Sequence, residues 1–379
     1  MHLLLSGNHS NLLLKMMKRI VFAVTNDLNF DQRMIRICNS LSSAGYHVTL
    51  VGRKKRNSPP LFQQQFEQKR LSCLFNQGKL FYIEYNLRLF IFLLLKKTTV
   101  IGAIDLDTIL ACYLVSVIKR TERIYDAHEL FCEMKEIVSR PLVYKCWKWV
   151  ERKMVPRFAL GYTVNEPIAK EFKKMYGVQY AVIRNVPRYR PLPVPEKKEK
   201  YIIYQGAVNE GRCFETLIPA MKDVNAQLII CGDGNFMAQA KELAGSYNLE
   251  NKIIFKGNIA PSQLTQLTAS AWAGVTLFDA VGKSNYYSLA NRFFDYIQAG
   301  IPQLCVNYPV YKEINSQYSI AVLTDDLSPA GIAHQLNELL NNQELYNKLQ
   351  AQCLVARKHL CWQEEEKKLL SYYQKQFTN

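Results

Sequence analysis

Tyr201-Ile202-Ile203-Tyr204-Gln205-Gly206-Ala207-Val208-Asn209-Glu210-Gly211-Arg212 carries an apolar strand pattern into a glycine-bounded loop and then into a helical pattern over residues 212–222. A turn of this kind leaves backbone N–H groups free at the start of a helix, where the dipole favours an anion, and Arg212 can add a bidentate contact to phosphate oxygens. Taken alone, the stretch reads equally well as an ordinary turn with a solvent-facing arginine. Its repetition decides the fold. Strands are predicted at 226–231, 253–256, 274–278 and 303–306, with helices at 235–246, about 261–270 and about 289–299, and a long helical region from 328. Short apolar strands, each followed by a helix, predict a parallel doubly wound α/β sheet with a binding crevice at the strand carboxyl ends.

The first half of the chain has the same grammar. Residues 18–24 predict a strand, 32–44 a helix with apolar Met34, Ile35, Ile37, Cys38 and Leu41 stopped by Gly45, and 47–51 a strand. Strands at 100–104, 123–126 and 159–163 and helices at 108–118, 140–156 and 165–176 continue it. The proline-rich, charged run before residue 200 is the clearest linker. The expected organisation is a loose extension at 1–17, a first Rossmann-like domain at 18–190, a linker at 191–199, a second Rossmann-like domain at 200–355, and a terminal helix at 356–379 that packs back on the first domain. Residues 1–15 also read as an upstream start preceding Met16 or Met17.

A chain of 379 residues with 49% hydrophobic content suits two folded domains rather than a disordered or fibrous protein. Its ten cysteines form no CxxC pair and several lie in apolar runs, which points to reduced thiols in a cytoplasmic protein and away from a disulfide frame or zinc site. The N-terminus makes a poor signal peptide, and the longest apolar run, Leu89 to Leu95, is far too short to span a bilayer. The net charge of +16 is unevenly placed. Residues 1–199 carry 33 Lys+Arg against 16 Asp+Glu, or +17, and residues 200–379 carry 15 against 16, or −1. A basic half without the aromatic interleaving of a nucleic-acid module suggests an anionic membrane surface, or solubility alone, as its reason. Peripheral attachment to the inner face of the cytoplasmic membrane is therefore an expectation, and nucleic acid is not an expected partner.

A second motif runs from Ser284 to Pro302. A polar loop with Ser288, Leu289 and Ala290 opens a helix on which Asn291, Arg292 and Asp295 lie within one turn, closed by Gly300-Ile301-Pro302. A helix N-terminus with an arginine suits a diphosphate, and a carboxylate one turn later suits ribose hydroxyls. The bland alternative is an amphipathic helix with an exposed Arg–Asp pair.

Gly206 to Arg212, Cys231-Gly232-Asp233-Gly234, Ile254-Phe255-Lys256-Gly257 and Ser288 to Pro302 occur in the order seen in retaining glycosyltransferases of GT-B fold, the large family that includes sucrose synthase and bacterial mannosyltransferases. Asn26-Asp27 to Arg33 and Tyr125-Asp126-Ala127-His128-Glu129-Leu130 resemble its bacterial polysaccharide-assembly branch. The resemblance covers about 18–379 and implies two Rossmann-like domains facing across a cleft. It also implies transfer of a sugar, with retention, from a UDP-, GDP- or ADP-sugar to a glycan or lipid-linked acceptor in cell-surface polysaccharide synthesis. Neither metal nor cofactor is implied.

Position by position, Arg212 resembles the residue that binds the donor diphosphate, and Asp295 the second of the family's paired glutamates, on the ribose. Gly206 and the amides of Ser288 to Ala290 join the diphosphate group, with Arg292 as an added cation. Gly232, Asp233 and Gly257 fall near the base. His128 resembles the histidine beside the reacting sugar carbon, and Asn26, Asp31 and Arg33 fall on the acceptor side. Surface pairing is the competing reading for Asp31 and Arg33, and for His128 it is a bond to Asp126 or Glu129. Two departures stand out. Tyr287 occupies the place of the first glutamate, and Asn26-Asp27 stands where the family has a glycine pair. They leave open a non-catalytic nucleotide-sugar-binding relative and a nucleotide-sugar epimerase of the same fold. Asp105-Leu106-Asp107 spells a metal-binding signature of other glycosyltransferases, but between a strand and a helix Asp107 reads as an N-cap.

Overall fold

The structure is a computed structural model that describes residues 18–192 and 199–377. The expected extension at 1–17 and residues 193–198 of the expected linker lie outside the described residues. The chain divides into two compact units. The first runs to Arg184 and resumes at Glu365, and the second comprises Asn185–Glu364.

In the first unit the strands are β1 (Arg19–Ala23), β2 (His47–Lys54), β3 (Glu67–Ser72), β4 (Val100–Ile104), β5 (Glu122–Ala127), β6 (Leu160–Thr163) and β7 (Ala181–Val182). They form one sheet in the order β3-β2-β1-β4-β5-β6-β7 with every pair parallel. β1 and β4 are buried along almost their whole length, as strands covered by helices on both faces must be. The sequence shows no strand at β3 because Glu67-Gln68-Lys69-Arg70 is polar. It is an edge strand, half exposed, with no apolar face to reveal it. The helix Gly78–Leu95 was also hidden, being apolar on nearly every side and therefore without helical periodicity.

The second unit holds β8 (Tyr201–Gln205), β9 (Gln227–Cys231), β10 (Ile253–Gly257), β11 (Ala273–Thr276), β12 (Gln303–Val306) and β13 (Ala321–Thr324). Their order is β10-β9-β8-β11-β12-β13, again all parallel. Each sheet thus reverses direction once, between β1 and β4 and between β8 and β11. In such sheets the helices on the two sides of that point leave in opposite directions and open a crevice at the strand carboxyl ends.

The division falls at Arg184/Asn185 because residues 185–192 are tied to the second unit. Trp362 N donates to Pro187 O (2.8 Å) and Arg357 Nη2 to Arg190 O (2.6 Å). Beyond Glu364, the terminal helix Trp362–Phe377 belongs to the first unit. Tyr372 Oη accepts from Gly161 N (2.9 Å), Glu365 accepts from Arg184 N (2.9 Å), and Glu366 accepts from Ser40 Oγ.

Candidate functional site

In the second unit three loops at the carboxyl ends of β8, β9 and β10 are laced together. Gly206 N donates to Cys231 O (2.9 Å), Gly232 N to Gly257 O (2.8 Å) and Val208 N to Asp233 O (3.1 Å). Such close approach requires glycine. Gly232 has φ 142°, and a Cβ there would lie 1.8 Å from the Gly206 carbonyl oxygen. The far end of the loop is fastened to the end of β11, where Asp279 N donates to Gly211 O (3.1 Å). The Gly206–Gly211 loop therefore sits over the β8/β11 switch point. The helix that follows starts at Phe214, not at residue 212, because Cys213 takes a left-handed φ of 58°.

Two guanidinium groups converge on this loop through one aromatic ring. Arg212 lies 4.6 Å from the Phe278 ring centroid, and Arg292 lies 4.7 Å from the same ring and 4.6 Å from that of Tyr204. Phe278 is free to serve because β11 stops at Thr276, two residues earlier than the sequence suggests. Arg292 is the second residue of the helix Asn291–Ala299 and is only 7% exposed. Its Nη1 donates to Tyr204 Oη (3.2 Å) and lies 3.3 Å from where a Cβ on Gly206 would be. Its Nε and Nη2 are buried and have no hydrogen-bond partner. A buried guanidinium left partly unpaired is costly, and an arriving anion removes that cost.

Asp295, one turn after Arg292, is half-buried and accepts from Gln205 Nε2 (2.8 Å). Thr268 Oγ1 in turn donates to Gln205 Oε1 (2.7 Å), which fixes the amide so that its NH2 faces the carboxylate. Gln205, Tyr204, Thr268 and Phe278 are site residues that motif reading missed. The first two lie in the stretch quoted at the outset, where they read simply as strand.

The expectation that the amides of Ser288 to Ala290 present an anion hole needs correction. Ser288 N donates to Asn285 O (3.1 Å) and Ala290 N to Tyr311 Oη (3.0 Å). A short helix, Lys283–Tyr286, and the buried Tyr311 take up these groups. Among the described residues, the N–H groups of Leu289, Asn291 and Arg292 remain without a partner at this helix start. The Asn291 side chain is exposed and accepts from Asn185 Nδ2 (2.8 Å). Asp233 closes its own turn through Gly234 N (2.8 Å), and Gly257 sits at φ 62° where β10 ends. Tyr287 is half-buried, its ring 5.3 Å from that of Tyr286.

At the β1/β4 switch point of the first unit a different cluster forms. Arg33 is 3% exposed, grips Asp126 with Nε (3.0 Å) and Nη2 (2.8 Å), and donates Nη1 to Ile183 O (2.8 Å). It is thus a buried structural pair rather than the surface pair of the competing reading, and its guanidinium is committed within the fold. Asp31 is the N-cap of the helix Gln32–Ser43, accepting from Met34 N (3.0 Å) and from Asn26 Nδ2 (3.0 Å). Two of the acceptor-side candidates, Asn26 and Asp31, are therefore bonded to each other.

His128 is clamped between Asp126 (Nε2, 3.2 Å) and Asp105 (Nδ1, 3.2 Å), and its backbone N–H also donates to Asp105 (2.9 Å). Burial opposes its charge, but the two carboxylates outweigh burial and hold the imidazolium protonated well above the ordinary histidine range. For Asp126, burial opposes ionisation, yet Arg33 and His128 keep its carboxyl below the usual range. Asp105, at φ 57°, precedes the helix Leu106–Lys119 as its cap residue; Asp107, expected there, lies one residue inside the helix and accepts from Thr25 Oγ1. Burial and the neighbouring Asp105 push the Asp107 carboxyl up to about 7. The two carboxylates of the Asp-Leu-Asp signature thus have separate partners, and among the described residues no group of three or more His, Cys, Asp or Glu is arranged to hold a metal ion.

A sheet pair of this topology, with cations gathered at a glycine loop over the switch point, is the GT-B architecture, and known structures agree. Sucrose-phosphate synthase from Thermosynechococcus elongatus superposes with a TM-score of 0.79 at 15% identity, covering 95% of this chain and 99% of its own. HepE of Anabaena, in complex with UDP and glucose, gives 0.75 at 13%, covering 94% and 100%. WaaG, a glycosyltransferase involved in lipopolysaccharide biosynthesis, gives 0.64 at 14%, covering 92% and 98%. At these identities the likeness shows the fold. Residues 187–353 match the family described as glycosyl transferases group 1. No curated protein matches in sequence. The chain therefore has the GT-B fold, and its residues 187–353 carry a domain similar to the glycosyl transferases of group 1.

Proposed function

We propose that this protein transfers a sugar from a nucleoside-diphosphate sugar to a glycan or lipid-linked acceptor, with retention of configuration and without a metal, in cell-surface polysaccharide synthesis. The observation that carries the reading is Arg292, whose Nε and Nη2 are buried without partners beside Gly206, with Arg212 over the same Phe278 ring. In the reaction, the bond between the anomeric carbon and the diphosphate oxygen breaks and the acceptor oxygen bonds to that carbon on the same face. The departing phosphate takes the acceptor proton. Charge therefore accumulates on the diphosphate, where two pre-placed guanidinium groups stabilise it most. Asp295, oriented by Gln205, suits the ribose hydroxyls. His128 is assigned to positioning the donor sugar, and His128→Ala is expected to lower transfer while leaving nucleotide affinity intact.

Thermal-shift measurements with UDP, GDP, ADP and their sugars test the donor site, because a ligand that binds only the folded chain raises its melting temperature. UDP heads that series because HepE was crystallised with UDP, with UDP and glucose, and with UDP-glucose. If none of these nucleotides or sugars shifts the transition, the donor reading is wrong. The anomeric configuration of the product, read by NMR, tests retention. A second reading rests on Tyr287, a neutral aromatic residue at the place of an acid. A chain that binds donor yet neither transfers nor hydrolyses it is a nucleotide-sugar-binding relative. Release of free nucleotide without an acceptor, together with a sugar inverted at a ring carbon, marks an epimerase.

A further inference from the structure

The helix Gly78–Leu95 turns Phe81, Tyr85, Leu89 and Leu93 into the core, one in every turn. Its opposite face is apolar as well. Leu80, Ile83, Leu87, Ile91 and Leu95 are all exposed, Ile83 at 66% and Leu95 at 82%. Their spacing of three and four residues places them in one stripe, about 22 Å long at helical rise. Alongside runs the helix Leu106–Lys119, held at one end by Asn86 Nδ2 on Asp107 O (2.9 Å) and at the other by Lys119 Nζ on the carbonyls of Leu93, Leu94 and Lys96. It exposes Leu110, Leu114, Val117 and Ile118, again on one face. The helix Pro141–Met154 packs against it and exposes Leu142 and Trp149. The three helices pack side by side, and each presents large apolar side chains to the outside, of the kind that marks a binding surface.

Lys79, Arg88, Lys97, Arg120, Lys145 and Lys153, all exposed, lie on these same three helices or at their ends. We infer that this face of the first unit docks on an anionic phospholipid bilayer, with the apolar stripes among the acyl chains and the flanking cations at headgroup level. Apolar side chains rimmed by Lys and Arg are the chemistry of a helix lying in the membrane interface, and Trp149 has the amphipathic ring favoured there. Spanning is not involved: among the described residues no helix is long and apolar enough to cross a membrane. A second copy of the chain is the poorer occupant, because the half that bears this face carries +17 and would meet its own charge. The inference does not depend on the transfer reading.

The test is flotation of the full chain with vesicles of phosphatidylglycerol and phosphatidylcholine in equal parts, against phosphatidylcholine alone, at low and high salt. The chain is expected to float with the anionic vesicles, less at high salt but still measurably. Leu87→Glu with Ile91→Glu is expected to lower the partition coefficient about tenfold or more, since two apolar side chains leave the hydrocarbon. Its melting temperature and its thermal shift with UDP are the controls for folding, and Leu95→Glu is the milder substitute should the double variant unfold. Absence of flotation at both salts overturns the inference, as does flotation unaffected by these variants. Self-association in sedimentation velocity that the double variant abolishes, without vesicle binding, assigns the face to a second copy and overturns it as well.

Discussion

The two switch points share a topology and differ in electrostatics. Between β1 and β4, Arg33 meets Asp126, and His128 meets both Asp126 and Asp105. Between β8 and β11, Arg292 leans on Tyr204 and Phe278 with two nitrogens unpartnered, and Arg212 faces the same ring. The first cluster is neutralised from within and ties the helix Gln32–Ser43 to β5 and to Ile183, just after β7. In the second, Arg292 rests on aromatic faces, which support a cation without cancelling its charge. A parallel doubly wound sheet supplies the crevice in both units, and the groups that surround the cations there differ between them.

The sharpest way to break this contrast is Arg33→Ala. It leaves Asp126 buried with His128 as its remaining cation, so the chain is expected to lose about 3–5 kcal/mol of stability in urea denaturation. Its affinity for a nucleoside diphosphate should be unchanged wherever it remains folded. Lost affinity with unchanged stability would place Arg33 in the donor site instead.

Arg292→Met is the counterpart. It keeps most of the volume and removes an under-satisfied charge, so the unliganded melting temperature should not fall. The diphosphate dissociation constant measured by calorimetry should rise about tenfold to a hundredfold, the scale of a charge-assisted contact of about 1.5–3 kcal/mol. A marked loss of unliganded stability would make Arg292 a structural cation like Arg33.

Arg212→Ala is expected to lower turnover by more than about tenfold and to weaken donor binding. Unchanged kinetics would leave Arg292 as the principal cation and remove Arg212 from the site.

The smallest effect expected is a change of slope. The Asp107 carboxyl sits at about 7 in the fold, above the value of about 4 for an unfolded aspartate, so the folded chain binds that proton more tightly. Its stabilisation is complete below about pH 4 and is lost as pH rises to about 7. Asp107→Asn should flatten the fall of melting temperature across that window relative to the parent chain. Parallel curves would show that Asp107 ionises there without cost.

Much of this was legible in advance, because buried parallel strands write themselves as apolar runs. β1, β4, β8 and β9 fall where the sequence puts them. Elements whose side chains do not alternate were invisible. β3 is a polar edge strand, and the helix Gly78–Leu95 is apolar on both faces. The helix Pro309–Tyr318 did carry a signal, a proline at its first position. The lack of amphipathicity that concealed the helix Gly78–Leu95 is also what gives the first unit its exposed apolar face.

The sequence by itself determined the two α/β halves, the glycine loop before Arg212, the helix bearing Arg292 and Asp295, and the concentration of positive charge in the first 199 residues. Only the tertiary structure decided which cations meet carboxylates and which rest on aromatic rings. The physical reason is separation along the chain. Arg33 and Asp126 are 93 residues apart, and Arg292 and Tyr204 are 88 apart. Whether a charge meets a carboxylate or an aromatic face is therefore set by the order in which the strands assemble, and no local pattern of residues records it.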